Sequence, residues 1–373
     1  MTGDPSQSSA RDARREPPTM SAVAVPGLPE VTAGTDLAAE IARCCRTAGM
    51  DLRDDDVVVV ASKVVAKAEG RSVPGDDRSS AIDEQTVRVV AERALGDGRV
   101  TRVVQSRTGP VLAAAGVDSS DVAHGTVLLL PVDPDASARR LRTRLRELTG
   151  AAPAVLVSDS AGRPWRQGVA DFALGAAGLV TLDDARGRVD RFGRPLEVTV
   201  RAVGDEVASL ADLVKGKVVG LPVAVVRGLG AYVTSQDGDG ARGCVRTGPS
   251  DWFAFGAVEA VRAALGVGSG DVVPPPIDPS SEDDSARVAR AVAVARGGSA
   301  PAGVDVAVGR GLRGAEVRVR GEQLACGVMA ERLRCALWSE GLTGELVRDG
   351  DDALVVVVGG AEDGERANSG PAG

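Results

Sequence analysis

Four consecutive valines and an alanine, Val57–Ala61, restrict this chain to few folds. A strand that is apolar on both faces needs cover on both faces, so it belongs inside a sheet flanked by helices. The surrounding pattern supplies those helices. Thr35 or Asp36 caps a helix that carries Leu37, Ile41 and Cys44/Cys45 on one face and ends near Gly49. A second helix is expected from Asp83, with Val87, Val90, Ala91 and Ala94 facing inward. Arg102–Gln105 and Val111–Ala115 flank Arg107-Thr108-Gly109-Pro110, which reads as a hairpin turn. Thr126–Leu130 reads as a buried strand. Asp133-Pro134-Asp135 opens a helix with the stripe Leu141, Leu145 and Leu148, and Gly150 stops it. Ala154–Ser158 and Leu196–Arg201 read as strands, Glu206–Val214 as a helix and Val223–Val226 as a last strand. The expected class is α/β, with a mixed sheet and several antiparallel pairings.

At 373 residues the chain exceeds one ordinary core. Aromatic residues are only 2% of it, so its interior must be built from Val, Leu and Ala. The expected organisation is a disordered tail over residues 1–20, a core over 21–260, a Gly/Pro/Ser-rich linker over 261–285 and a small α/β unit over 286–373. Within that last unit Ala286–Ala295 and Leu324–Leu337 read as helices. Val304–Val308, Glu316–Arg320 and Ala353–Val358 read as strands. The net charge of −8 argues against nucleic acid as a partner. Five cysteines without a Cys-x-x-Cys pair suit a reducing cytoplasm rather than a disulfide framework. The single His124 excludes a multi-histidine metal cluster. No apolar run reaches membrane-span length, and the first 20 residues lack the apolar stretch of a signal peptide.

Only four of the 44 basic residues are lysines, and they fall in two pairs, Lys63/Lys67 and Lys215/Lys217. A composition that elsewhere prefers arginine keeps lysine where a compact ammonium is needed, as beside a nucleotide phosphate, or keeps it by chance on a solvated face. Ser62 and Lys67 leave the Val57–Ala61 strand together. Gly27-Leu28-Pro29-Glu30 forms a rigid turn, either a ligand loop or an ordinary lead into the first helix. Asp159 and Ser160 lie where the Ala154–Ser158 strand is expected to stop, and Asp118 lies in another loop. Carboxylate and hydroxyl oxygens are hard ligands of the kind Mg²⁺ or Mn²⁺ takes, although a lone Asp is more often a turn or cap residue. Arg163 and Arg166 flank Trp165, which suits an anionic, partly aromatic substrate or a surface ion-pair cluster. Oxygen-bound metal, paired lysines and paired arginines together fit nucleotide phosphoryl transfer, although no Walker A loop or G-x-G-x-x-G is present.

In order, these segments resemble the coenzyme F420:L-glutamate ligase (F420-0:γ-glutamyl ligase) family. The matching stretches are GLPE at Gly27–Glu30, VVVVASKVVAKAEGR at Val57–Arg71, AAAGVDSSDV at Ala113–Val122 and LLLPVDPDASARRLR at Leu128–Arg142. They continue with SDSAGRPWRQGVADFALGAAGL at Ser158–Leu179, LVKGK at Leu213–Lys217 and PVAVVRG at Pro222–Gly228. The resemblance implies a GTP-dependent ligase of the cytoplasm, acting as a homodimer. Such an enzyme adds L-glutamate to the deazaflavin coenzyme F420-0 through an acyl phosphate and then extends it with γ-linked glutamates. It implies GTP contacts at Gly27, Leu28, Pro29, Glu30, Ser62, Lys67 and Asp121, and along the loop from Lys215, Gly216 and Lys217 to Pro222. It implies Asp118, Asp159 and Ser160 as ligands of two divalent cations. Asp159, Lys67 and Arg166 are the expected catalytic groups, with Arg163, Trp165 and Arg166 on the substrate.

Three positions depart from the family pattern. Asp121 replaces an Asn that contacts GTP, Ala66 replaces a second serine, and Lys217 stands where some members carry a Gln that ligates metal. An ammonium cannot ligate a cation. Relatives in actinobacteria often continue into a flavin-binding domain, but its arginine-rich opening motif is missing from the tail, so no flavin is expected. Alternatives are a ligase for a different carboxylate, or a nucleotide-binding protein without turnover.

Overall fold

The computed structural model describes residues 18–75, 78–95, 99–120, 122, 124–216, 220–248, 251–268, 271–275, 283–311, 314–349 and 352–360. Residues 1–17 of the expected tail, part of the expected linker, Asp121 and Lys217 lie outside the described residues. In chain order the elements begin β1 (Ser21–Ala24), α1 (Leu37–Thr47), β2 (Val57–Ala61), α2 (Ser62–Ala68), β3 (Ser72–Pro74) and α3 (Arg78–Gln85). Then come β4 (Thr86–Ala94), β5 (Val100–Ser106), β6 (Val111–Ala113), β7 (Thr126–Leu128), α4 (Pro134–Thr149), β8 (Ala154–Arg163) and β9 (Arg166–Ala177). The chain continues through β10 (Asp183–Asp184), β11 (Val200–Arg201), α5 (Val203–Lys215), β12 (Val223–Arg227), α6 (Ala257–Ala264) and α7 (Asp284–Arg296). It closes with β13 (Asp305–Gly311), β14 (Gly314–Arg320), α8 (Gln323–Ser339), β15 (Leu342–Asp349) and β16 (Asp352–Gly360).

The chain forms two compact units. The first comprises residues 1–85, 106–112 and 116–246, and is built on a five-stranded sheet of order β1-β12-β2-β8-β9. Only β2 and β8 run parallel; the other neighbours are antiparallel, which makes the sheet mixed, as expected. Val57, Val58, Val59 and Val60 are all fully buried. Val58, Val60, Val155 and Val157 pack with Leu37 and Ile41 of α1 and Leu141 and Leu145 of α4 on one face. Val57, Val59 and Leu156 pack with Val207, Ala208 and Ala211 of α5 on the other. The two-sided cover that the valine run demands is therefore met by helices on opposite faces.

Helix α4 starts as its sequence requires. The Asp133 side chain accepts from the Ala136 amide at 2.9 Å, Pro134 occupies the first turn and Gly150 ends the helix in a left-handed conformation. The N-terminus of α4 lies close against β9. A Cβ at Gly175 would meet the Pro134 carbonyl at 2.3 Å, so only glycine admits this approach. Asp135 then braces the contact by accepting from the amides of Ala176 (2.8 Å) and Ala241 (2.7 Å).

The second unit comprises residues 86–105, 113–115 and 247–373. Its antiparallel sheet, of order β13-β14-β16-β15, packs with α7 and α8 around Val288, Val317, Val319, Leu333 and Leu337. Buried arginines hold it together. Arg332 donates to the carbonyls of Ala295 (2.8 Å), Leu265 (2.9 Å) and Gly297 (2.6 Å). Arg290 pairs with Glu340 at 2.7 Å, with both side chains nearly inaccessible.

Several sequence expectations change. The helix expected from Asp83 is instead the end of α3 followed by strand β4, which neighbours β5. Val87, Val90, Ala91 and Ala94 imitate helical spacing. The β-branched cluster Thr86, Val87, Val89 and Val90 prefers extended backbone, and pairing decides for the strand. Segment 86–94 belongs to the second unit: Val90 accepts from the Gly256 amide at 2.7 Å, and Glu259 accepts from that of Glu92 at 2.8 Å. The strand expected at Leu196–Arg201 shortens to Val200–Arg201, and that at Thr126–Leu130 to Thr126–Leu128. Strand β8 does not stop at Ser158 but runs to Arg163 and turns directly into β9.

Candidate active site

Several candidate residues read from the sequence gather where β8 outruns β2. Its last residue paired to β2 is Ser158, opposite Ala61, and from there β8 continues paired only to β9. Side chains alternate between the two faces of a strand. Asp159 follows Val155 and Val157 onto the face of α2, while Ser158 and Ser160 follow Leu156 onto the face of α5.

On the α2 face, the short helix carries Ser62, Lys63 and Lys67 directly off β2. The Ser62 hydroxyl donates to Asp159 at 3.0 Å. Lys63 pairs with Asp118 at 2.8 Å and donates to the Ser120 hydroxyl at 2.5 Å. Asp118 is fixed by backbone bonds to Leu128 in both directions, and it accepts from the Ser120 amide at 2.7 Å. Lys67 pairs with Glu30 at 2.9 Å, which joins the GLPE turn to α2. Arg43 donates to the Gly27 carbonyl at 3.2 Å, and Leu28 packs against the core.

The two carboxylates of this face have opposite electrostatics. Burial pushes the Asp159 carboxyl up to about 6; bonds from Ser160 and Ser62 oppose the shift, and the charges of Asp171 and Asp118 add to it. At Asp118 burial also acts upward, but the Lys63 ammonium and the Ser120 amide and hydroxyl outweigh it and hold the carboxyl below its ordinary range. Asp159 is thus a half-buried carboxylate short of positive charge, and Asp118 is near enough to perturb it.

On the α5 face, Asp171 of β9 stands opposite Ser160 in register. It accepts from the hydroxyls of Ser158 (2.9 Å) and Ser160 (2.6 Å). Lys215, in the last turn of α5, donates at 2.9 Å to the Asp171 oxygen that Ser158 also uses, and to Ser158 at 2.7 Å. Asp171 and Lys215 are both about 4% exposed. Gly216 ends the helix.

Beyond these groups the β8–β9 hairpin projects outward, and its tip is Arg163-Pro164-Trp165-Arg166. Trp165 is 81% exposed with a φ of 59°. A left-handed non-glycine residue costs about 1 kcal/mol. Among the described residues Arg163 and Arg166, both exposed, form no ion pair. The tip lies about 13 Å along the strand from Asp159, at the usual rise per residue.

Ser62, Lys63, Asp118 and Asp159, read from separate segments, thus converge, and Lys67 and Glu30 pair directly. Lys215, expected at a nucleotide, has its ammonium buried against Asp171 and Ser158. Asp171 and Ser158 were not singled out from the sequence. The only signal for Asp171 is its place in an apolar run after the Arg163–Arg166 turn, where a charge on a buried strand demands a partner.

Residues 27–228, more than half of the chain, match the family described as F420-0:Gamma-glutamyl ligase. The chain is 38% identical over 255 residues to a coenzyme F420:L-glutamate ligase of Methanopyrus kandleri, which covers 63% of this chain and 98% of that protein. It is 42% identical over 230 residues to one of Halorubrum lacusprofundi (56% and 87%) and 40% over 220 residues to one of Archaeoglobus fulgidus (55% and 86%). With the match spanning β2, α2, β8, β9 and α5, the elements that carry the clustered side chains, the chain belongs to the F420-0:gamma-glutamyl ligase family.

Proposed function

We propose that this chain is a GTP-dependent ligase that forms an amide between L-glutamate and coenzyme F420-0 and then extends it with γ-linked glutamates. The names of its relatives support F420 and glutamate as substrates. One observation carries the nucleotide and metal part of the reading: Ser62 bonded to the half-buried Asp159 and Lys63 paired with Asp118 at the head of one short helix, with the Asp159 carboxyl held above its ordinary range. Such a locus favours added positive charge, and the ammonium groups next to it favour phosphates.

The donor set fits Mg²⁺ or Mn²⁺. Among the described residues no three His, Cys, Asp or Glu side chains form a cage. Two carboxylates, Asp118 and Asp159, are what a cation that keeps water and phosphate oxygens in its shell requires. When bound there, the cation neutralises charge on the transferring phosphate. Glu30 steadies Lys67, and Lys63 and Lys67 with the Gly27–Glu30 turn hold the triphosphate. Arg163 and Arg166 grip the anionic acceptor while Trp165 offers its deazaflavin a flat face.

Phosphoryl transfer breaks the bond from the γ-phosphorus to the β–γ bridging oxygen and forms one to an oxygen of the acceptor carboxylate, releasing GDP. The glutamate amine then attacks the acyl carbon. The C–N bond forms, the C–O bond to phosphate breaks and the amine loses its proton. Positioning and charge neutralisation supply the catalysis. Incubating the protein with the deazaflavin acceptor, GTP, Mn²⁺ and glutamate should add glutamyl residues, read by mass spectrometry, with stoichiometric GDP. No mass gain, or an undiminished gain without GTP, would refute the reading.

A further inference from the structure

The two faces of β8 carry the same kind of oxygen cluster but fill it differently. On the α2 face, the Asp159 carboxyl accepts one hydroxyl, from Ser62, and lies near Asp118. On the α5 face, Asp171 gathers the Ser158 and Ser160 hydroxyls at 2.9 and 2.6 Å, and the Lys215 ammonium sits among them at 2.7 Å from Ser158 and 2.9 Å from Asp171. Lys215 and Asp171 are buried, and the hydroxyl of Ser209 fixes the backbone by donating to the Asp171 carbonyl at 2.8 Å.

We infer that Lys215 is the resident cation of the α5 face, so that this chain binds one divalent cation, on the α2 face, and not two. The inference rests on the metal-dependent reading above and concerns Lys215 as a positioning residue. A carboxylate with two hydroxyls is a hard-oxygen set that a small divalent ion would take. An ammonium hydrogen-bonded into the middle of that set occupies the same space and supplies the same sign of charge. Because it is covalently tethered and desolvated on α5, displacing it would leave a buried lysine without its partner, which burial penalises heavily. The pair also sets the polarity of the hydroxyls. Ser158 and Ser160 both donate to Asp171, so their lone pairs are turned away from that carboxylate. Lys215 takes one at Ser158.

Mn²⁺ binding to the full chain, followed by the free-ion paramagnetic resonance signal and by calorimetry, tests this without reference to turnover. Wild type should bind one tight Mn²⁺ per chain, and Asp159→Asn should bind none. Lys215→Met should bind two and be stabilised against heat by Mn²⁺ more than wild type is. Lys215→Met combined with Asp171→Asn, which removes both charges of the pair, should return to one. Two tight ions on wild type, or none, would overturn the inference. So would a folded Lys215→Met protein that still binds one. If Lys215→Met folds only when Mn²⁺ is supplied, the ion has replaced the ammonium, as inferred; if it stays unfolded with Mn²⁺ while the double variant folds, the α5 face cannot host a divalent ion and the inference fails. Absence of glutamylation with one Mn²⁺ per chain would refute the ligase reading alone, whereas two Mn²⁺ with normal glutamylation would refute this one alone.

Discussion

The two units share one use of charge, as struts, and only the first adds a second. In the second unit the buried guanidinium of Arg332 is spent on three main-chain carbonyls, and Arg290 is closed on Glu340. The Arg332 bonds all go to main-chain oxygens, so that charge serves as a strut between α7, α8 and the Leu265 turn. The first unit has such struts too, with Arg142 on the carbonyls of Pro153 and Thr234 and Asp135 on the amides of Ala176 and Ala241, but around β8 its charges meet small hydroxyls and each other, and one carboxyl stays electrostatically unbalanced. Buried charge satisfied by backbone is architecture. A half-buried carboxyl left short of its counterion, where a strand outruns its neighbour, marks chemistry.

The sharpest way to break this contrast is to remove the unbalanced carboxylate. Asp159→Ala should lower kcat/KM for glutamylation by about 10³-fold, the scale of a lost electrostatic group in a preorganised site, with the fold intact by circular dichroism. Arg332→Met should do the reverse. Losing three charge-assisted bonds to buried carbonyls should cost about 2–4 kcal/mol in denaturant unfolding, with KM for GTP unchanged. Lys67→Met should raise KM for GTP about 10- to 100-fold, with little change in stability; an unchanged KM would leave the Lys67–Glu30 pair a structural tie only.

The gentlest probe is pH. The raised Asp159 carboxyl binds its proton more tightly in the folded than in the unfolded chain, so its contribution to stability is lost as pH rises from about 4 to about 6. Asp159→Asn should therefore be more stable than wild type by about 1–3 kcal/mol at pH 7, and the advantage should vanish near pH 4. An advantage that did not change with pH would mean that burial of Asp159 is not what separates the two units.

How much of this was legible in the sequence depends on the range of the forces involved. Val57–Ala61 and the capped helix at Asp133–Gly150 were readable because composition and capping act locally. Strand β4 was misread because its valines satisfy both periodicities, and only its pairing with β5 chooses. The outward half of β8 was invisible for a related reason. Ser158, Asp159 and Ser160 lose the apolar alternation of a strand, and their extended form rests on register with β9 across the hairpin. The convergence of Ser62, Asp118 and Asp159 followed from family motifs in the right order. The Asp171–Lys215 pair did not, since it forms only when α5 packs on β9, and nothing local to either residue signals that contact.

The scarcity of aromatic side chains has an optical consequence. Trp165, Trp252 and Trp338 are 81%, 84% and 57% exposed, so no indole reports on either interior. The folded protein should emit at the long wavelengths typical of solvated tryptophan and change colour little when it melts. That leaves the fluorescence channel open for another purpose: dimming of the emission from Trp165 becomes a direct gauge of whether a planar acceptor has settled on the hairpin tip.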